Sequence, residues 1–437
     1  MIIESLTIED LHKSINLTVN FNKDITLLVG INGCGKTSIL NVIDWLLKPN
    51  LQLLAVTEYK KLELEFTFNK KKYTISSVKT DEEVVFSIAG AGTQVEPIGI
   101  KLLQRGLYED EMLLEAYGRL SLEKHELPMW DLLKSFSKPT VITLDRTITA
   151  ETDESSYVES AGMHQKKRPR NKTPLAFVGD VTAAKYAEYR EKSTRHDEEL
   201  KARIVMSALQ NPEVIFNDRP IKHLTPSEIT KIERKVVEYL SKTIKTDVVV
   251  SQVKRFFEAY RDITRSEQKA AAKDSYLIDF FMVQYRQVEN LAKAFNDFEL
   301  KNASAFKELK EYLETVNGFL NDSNKTLYFD DSIGKLVFSA LNRKKDDLEK
   351  KSINLLSSGE KQILILFTFL ALISKNGGIF IVDEPELSLH PKWQHEFMDA
   401  FVKLCPKNTQ LILATHSPDI VGKYKKSCVI VKGQQYV

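Results

Sequence analysis

Cysteine is scarce: the 437 residues hold three, Cys34, Cys405 and Cys428. They lie far apart and lack the spacing of a zinc site or a disulfide framework. The expectation is therefore a cytoplasmic protein in a reducing compartment. Long apolar runs are missing as well. The longest, residues 363–373, is interrupted by Thr368 and is shorter than the ~18 residues of a membrane span, so no membrane partner is expected. Met1-Ile2-Ile3-Glu4 has no basic segment leading into an apolar one, so no signal peptide is expected. Charge of one sign is also lacking: 62 Lys and Arg against 60 Asp and Glu leave a net charge of +2. Bulk charge does not make this chain a polyanion binder, and any nucleic-acid contact must come from a local patch. No internal repeat is visible. What is present is a hydrophobic fraction of 43%, enough for a sizeable core, in a length that suits two or three domains.

One stretch organises the rest. Gly30-Ile31-Asn32-Gly33-Cys34-Gly35-Lys36-Thr37 satisfies G-x-x-x-x-G-K-[ST] at every fixed position. Ile25-Thr26-Leu27-Leu28-Val29 before it is short, apolar and β-branched, as a buried strand would be. From Ser38 onward, Ile39, Leu40, Ile43 and Leu47 share one helical face. Strand, glycine loop and helix aim backbone N–H groups and a helix N-terminus at phosphate. In this pattern Lys36 reaches the β- and γ-phosphates of a bound nucleotide, and the Thr37 hydroxyl ligates Mg²⁺.

Around the loop, residues 2–8 and 17–21 alternate like strands. Residues 62–68, 73–76 and 84–88 do the same between polar turns and predict an antiparallel meander. Residues 102–117 predict a helix, and 141–144 a strand ending at Asp145-Arg146. Near residue 150 the composition changes. A polar stretch, 152–173, carries Lys166-Lys167-Arg168-Pro169-Arg170-Asn171-Lys172, a solvated loop or a candidate contact for a phosphate backbone. Charged helices are predicted over 183–209 and 226–240, the second opening at Thr225 as N-cap. Residues 253–319 read as helical with breaks near Asp274 and Asn302, and without a sustained heptad. Strand patterns return at 326–329 and 336–338. The division expected is 1–150 and 326–437 as two halves of one α/β head with a mixed sheet, and 151–325 as an all-helical insertion.

A second cluster of chemistry lies in the last third. Gly378-Ile379-Phe380-Ile381-Val382-Asp383-Glu384 is an apolar strand ending in two carboxylates, the complement a phosphate loop needs for its metal. Asp383 is the candidate metal ligand, and Glu384 the group that polarises the attacking water. Ser357-Ser358-Gly359-Glu360 opens an apolar helix, where it is either an ordinary N-cap or an anion site. His390 and His395 lie five residues apart, which does not put both on one helical face, so zinc is not expected. Glu299-Leu300-Lys301 and Glu308-Leu309-Lys310 echo a nuclease motif but sit in helical sequence without an acidic strand partner. Trp45, Trp130 and Trp393 are read as core.

Taken together the motifs resemble the ATP-binding-cassette superfamily of P-loop ATPases, in its SMC and RecF-like branch. Leu356-Ser357-Ser358-Gly359-Glu360 resembles its signature motif, Pro385-Glu386-Leu387-Ser388-Leu389-His390-Pro391 its D-loop, and Ala414-Thr415-His416-Ser417 its switch-histidine segment. The resemblance implies that two subunits sandwich two ATP molecules. Gly30, Asn32, Gly33, Cys34, Gly35, Lys36, Thr37 and Ser38, with Asp383, Glu384 and His416, act from one subunit. Ser358, Gly359 and Glu360 act from the other. Gln104 and Arg146 are candidates for the glutamine-loop role. Among relatives, the D-loop sequence is similar to stand-alone ATPases of bacterial anti-phage defence. With the chain ending at Val437, no Toprim nuclease is expected, and the Septu-type ATPases, which work with a separate HNH nuclease, are the nearer resemblance; the PARIS ATPase is another short candidate. The resemblance thus implies an ATP-driven homo-oligomeric switch acting on a nuclease partner. The rival readings are a DNA-repair ATPase of the RecF type and, less in keeping with the helical arm, a transporter subunit.

Overall fold

The computed structural model describes residues 1–90, 92–103, 117, 128–143, 148–149, 173–208, 225–243, 250–251, 253–258, 261–262, 275–341, 348–374 and 377–432. Gln104, Arg146, the basic run 166–172, the break near Asp274 and nearly all of the helix expected over 102–117 lie outside them. The chain forms two compact units, Met1–Lys185 with Glu308–Val437, and Tyr186–Lys307.

Among the described residues the first unit is built on three sheets. An antiparallel sheet runs β2 (Ile15–Asn20), β1 (Ile2–Leu11), β4 (Lys61–Phe68), β5 (Lys71–Lys79) and β6 (Glu83–Gly90), with β7 (Thr93–Gln94) and β8 (Ile98–Lys101) both on β6. This contains the expected meander, Leu64 facing Ile75 and Ile75 facing Ile88. The second sheet is mixed, in the order β10 (Ile148–Thr149), β9 (Thr140–Ile142), β14 (Ile379–Asp383), β15 (Gln410–Thr415), β3 (Ile25–Val29), β16 (Cys428–Ile430). All its pairings are parallel except β10 with β9. Every residue of β14 and β15 is buried, as expected of strands covered on both faces. A third, antiparallel sheet joins β11 (Lys325–Asp330), β12 (Lys335–Leu341) and β13 (Leu348–Ser352).

Helix α1 (Lys36–Leu47), followed along the chain by the short α2 (Leu51–Val56) and α3 (Pro128–Ser135), is buried through Ile39, Leu40, Val42, Ile43, Leu46 and Leu47. They share one core with Leu64 and Phe86 of the antiparallel sheet and with Ile381 and Ile412 of the mixed sheet. Each such side chain contributes roughly 1.5–3 kcal/mol by leaving water. Gln410 adds a polar tie: its amide accepts from Ile3 N at 2.8 Å and donates to Ile3 O at 2.9 Å and Asn22 O at 2.8 Å. Trp130 and Trp393 are buried, and Trp45 packs half-buried against the core.

The second unit is helical. It takes parts of α4 (Pro174–Ala208) and α6 (Ser275–Leu320) and all of α5 (Pro226–Thr243). Its core includes Leu200, Ile229, Ile232, Phe257, Val288 and Phe295. The Thr225 cap is reciprocal, with Glu228 N donating to Thr225 Oγ1 at 3.3 Å and Thr225 N to Glu228 Oε2 at 2.7 Å. Two sequence expectations need correction. Helix α4 starts at Pro174, nine residues before the expected start, because proline is suited to a first helical position and Thr173 Oγ1 accepts from Ala176 N at 3.3 Å. Helix α6 has no break at Asn302. That side chain lies 2.8 Å from His196 Nδ1, so it bonds across to another helix instead of competing for its own backbone. Among the described residues no helix is long and apolar enough to cross a membrane.

Candidate functional site

The glycine loop leaves β3 at Val29 and turns into α1 at Gly35, whose φ of 98° would strain any side chain. Lys36, the first helical residue, is 5% exposed. Its ammonium folds over its own loop, donating to Gly30 O at 3.1 Å and Ile31 O at 3.3 Å, and lies 3.4 Å from His416 Nδ1. Cys34 is buried behind it, with Sγ 3.8 Å from Nζ.

Thr37 is brought to the end of β14, where its hydroxyl donates to Asp383 Oδ2 at 2.8 Å. The other oxygen, Asp383 Oδ1, is buried and has no hydrogen-bond partner among the described residues. Burial raises the Asp383 carboxyl above its usual range. The Thr37 bond and the Lys36 charge oppose the rise, while the Glu384 and Glu386 charges add to it. A buried carboxylate with one idle oxygen beside a threonine hydroxyl is a donor set that fits a hard divalent cation such as Mg²⁺. Glu384 follows in the left-handed region, φ 46°, anchored by its N–H to Ala414 O at 2.9 Å. Its Oε1 is 3.6 Å from His416 Nε2. Asn32, Gly33, Gly35, Lys36, Thr37, Ser38, Glu384 and His416, with Ile15, line one cavity of about 230 Å³. The amino-terminal loop and the carboxylate strand, some 350 residues apart, thus meet through Thr37 and Asp383, whose separation in sequence is 346.

A residue that the motif reading assigned no role holds this arrangement. Glu386 Oε1 accepts from Thr415 Oγ1 at 2.8 Å, His416 N at 2.7 Å and Ser417 N at 3.2 Å. Ser417 in turn donates to Gln394 Oε1 at 2.6 Å, and Gln394 Nε2 to Leu389 O at 3.0 Å. The segment after β14 and the segment after β15 are one hydrogen-bonded assembly. The available sequence signal was a second acid two residues beyond Glu384, in a turn that must face the next parallel strand.

Ser358, Gly359 and Glu360 do not line that cavity. Ser357 caps helix α7 (Ser358–Thr368) in a reciprocal capping box with Glu360. A Cβ on Gly359 would stand 2.5 Å from Ser388 O, so only glycine permits this close pass of the helix start by the D-loop. Glu360, expected to face nucleotide, is instead 2% exposed and turned inward. Its carboxylate takes Lys325 Nζ at 2.8 and 2.7 Å, Ser323 Oγ at 2.6 Å and Ser357 N at 2.7 Å. His390 caps α8 (Pro391–Leu404) by accepting from Lys392 N at 3.3 Å.

The AAA ATPase domain family (AAA_15) matches residues 1–421. The chain belongs to that family. It carries an ATPase domain, the activity that the glycine loop and the carboxylate strand predicted. Retron Ec83 probable ATPase of Escherichia coli is 31% identical over 185 residues, 36% of this chain and 33% of that protein. Retron Vc95 probable ATPase of Vibrio cholerae serotype O1 biovar El Tor is 24% identical over 404 residues, 91% of this chain and 66% of that protein. The chain therefore spans a third of the first relative and just under two thirds of the second. Two solved structures align over 96% of this chain and 91% of theirs. The Smc head domain with an extended coiled coil bound to the C-terminal domain of ScpA, from Pyrococcus furiosus, does so at 13% identity and TM-score 0.35. The SmcHead bound to the C-winged helix domain of ScpA does so at 12% and 0.40.

Proposed function

We propose that this chain is an ATP-hydrolysing switch of anti-phage defence, which dimerises through ATP and regulates a separate nuclease, of the HNH type as in the Septu systems. The observation that carries the chemistry is the meeting of Lys36, Thr37, Glu384 and His416 around one cavity, with Asp383 bonded to Thr37 behind it. The names of the two bacterial relatives, each a retron probable ATPase, support the defence setting.

Backbone N–H groups of residues 33–38 and the α1 N-terminus receive the phosphates, and Lys36 swings from its loop carbonyls to the transferred phosphoryl group. Thr37 and Asp383 would hold Mg²⁺, which neutralises charge building on the phosphate oxygens. Glu384 accepts the proton side of the attacking water and orients it, its backbone held in place by Ala414 O. His416, fixed through its own N–H by Glu386, closes the far side of the γ-phosphate. Ser358 and Gly359 of a second copy complete each site, leaving Glu360 to brace the helix that presents them.

Glu384→Gln tests this reading. The variant is expected to bind ATP as the parent does, to turn it over at least 10²-fold more slowly, and to accumulate an ATP-bound dimer by light scattering. Loss of ATP binding as complete as in Lys36→Ala would refute the role given to Glu384. For the partner, the purified chain with ATP and Mg²⁺ is expected not to cut DNA and to co-purify with a nuclease encoded beside it. The helical region 183–319 and the basic run 166–172 are the segments proposed to hold that partner and nucleic acid. Metal-dependent cleavage by the isolated chain that survives Glu384→Gln would make this chain the effector instead.

A further inference from the structure

The end of the first unit away from the nucleotide cavity has its own charge pattern. The glycine loop leaves the carboxyl end of β3, so the amino ends of β3, β14 and β15 lie about 17 Å away at ~3.4 Å per residue of strand. Four turns gather at that amino end. Gln410, first residue of β15, bonds Asn22 O and Ile3, which brings the loop before β3 and the start of β1 together. Asn22 Nδ2 donates to Ser427 O at 3.3 Å, which adds the 3-10 turn Lys425–Ser427. Gly377 N donates to Lys407 O at 3.1 Å, which adds the turn before β15. Ile2 pairs with Thr67, and Thr67 with Lys72, so the β4–β5 hairpin turn projects there too. Asn69 and Lys70 at its tip take φ of 49° and 65°, a tight two-residue turn that holds the flanking lysines out.

Each of these turns carries lysine. Lys23, Lys70, Lys71, Lys407, Lys425 and Lys426 are all exposed and have no ion pair among the described residues. Acids do interleave, but three of them are already engaged: Glu4 with Lys72 at 2.9 Å, Asp131 with Lys134 at 3.9 Å and Asp399 with Lys423 at 2.7 Å. Asp24 is a fourth, exposed acid at this end. The Glu4 carboxyl sits below its usual range through bonds from Thr67 and Lys72, with the charge of Lys23 also acting on it, so those lysines share one neighbourhood. Against a whole-chain net charge of +2, this concentration on one end is a local excess that the composition conceals.

We propose that this lysine-bearing end is a docking face for the phosphate backbone of nucleic acid, separate from the ATP cavity. Flexible ammonium groups on short turns suit a repeating line of phosphates read without sequence preference, since each is a point charge free to follow a neighbouring phosphate. A face with six free lysines predicts salt-dependent binding with a slope of roughly −5 in log affinity against log salt for duplex DNA.

The test is fluorescence anisotropy with a labelled 20-base-pair DNA duplex and the same strand single, from 50 to 200 mM salt. The full chain is compared with Lys70→Glu/Lys71→Glu/Lys425→Glu/Lys426→Glu and with the milder set in which the same four become Gln. All four side chains are exposed, so melting temperature and ATP turnover are expected to hold in both sets and report that the protein is folded. Affinity is expected to fall at least tenfold in the Glu set and less in the Gln set, with the salt slope shrinking by about one per lysine removed. Binding left unchanged by both sets, no binding by the full chain at 50 mM salt, or loss caused only by neutralising 166–172 would overturn the proposal. So would a poly-glutamate peptide that binds the same face as tightly as DNA, because the partner would then be an acidic protein.

Discussion

Replacing Glu360 separates bracing from nucleotide contact. The carboxylate is 3% exposed and Lys325 is 21% exposed, so the pair is largely removed from solvent and little screened. Glu360→Gln keeps a side chain that can close the capping box but removes the charge; losing charge-assisted bonds of this kind costs ~1.5–3 kcal/mol. Glu360→Ala also strands the Lys325 ammonium and removes half of the cap, which raises the cost to ~3–5 kcal/mol. Lys325→Met added to Glu360→Ala removes the stranded charge, so the double variant is expected to be more stable than the sum of the singles by at least ~1 kcal/mol. Thermal unfolding reads these as losses of about 2 °C per kcal/mol for a unit of this size. The pH dependence has a fixed sign. Burial raises the Glu360 pKa, but the bonds from Lys325, Ser323 and Ser357 outweigh it and the net shift is downward from the ordinary 4.5. A depressed folded pKa gives stability that is complete above the unfolded value and fades as pH falls through the folded one. The gap between parent and Glu360→Gln is therefore expected to be widest at pH 6–7 and to narrow below about pH 4. Both variants should keep the parent KM for ATP at a temperature where they are folded. A cost below ~1 kcal/mol for Glu360→Ala, or a Glu360→Gln protein that is stable but has lost ATP affinity, would refute the bracing role and return Glu360 to the nucleotide.

Two shorter predictions follow from the same geometry. Lys36→Ala and Ser358→Arg proteins are each expected to be inactive in ATP hydrolysis and to regain part of the activity when mixed, because one site of the heterodimer has both halves intact; heterodimers without recovery would argue against shared sites. Gln410→Leu leaves Ile3 N and Ile3 O buried, and Asn22 O half-buried, without their partner, and is expected to cost ~2–4 kcal/mol in denaturant unfolding, whereas a loss under ~1 kcal/mol would show that water replaces the amide.

The parts legible in sequence were those in which one residue type serves one local geometry. Gly35 had to be glycine at φ 98°, and β14 had to be apolar because both its faces are covered. Helix periodicity found α1 for the same reason. The sequence hid pairings that are distant and optional. Asn302 looked like a helix break because its partner, His196, is 106 residues away. Glu360 looked like a ligand contact because the lysine that neutralises it begins β11, far outside any local pattern. The lysines of the basic end were invisible as a group because β-sheet pairing, not sequence proximity, collects them.

Glu384 and Glu386 show why the two carboxylates of one turn do different work. Glu384 has a left-handed backbone, which costs a non-glycine residue on the order of 1 kcal/mol and persists only where its surroundings enforce it. The enforcement is visible: Glu384 N–H is tied to Ala414 O, while Glu386 Oε1 gathers Thr415, His416 and Ser417. The turn is therefore clamped onto the end of β15 at both of its acids. Clamping leaves the Glu384 side chain free of backbone duties and aimed beside His416, and it leaves Glu386 with none of its Oε1 capacity to spare for a substrate. Any shift of Ser388, whose carbonyl rests against Gly359, must pull on this same turn. The start of helix α7 thus rests against the turn that carries Glu384, the carboxylate proposed to orient water, a path short enough for movement of one to reposition the other.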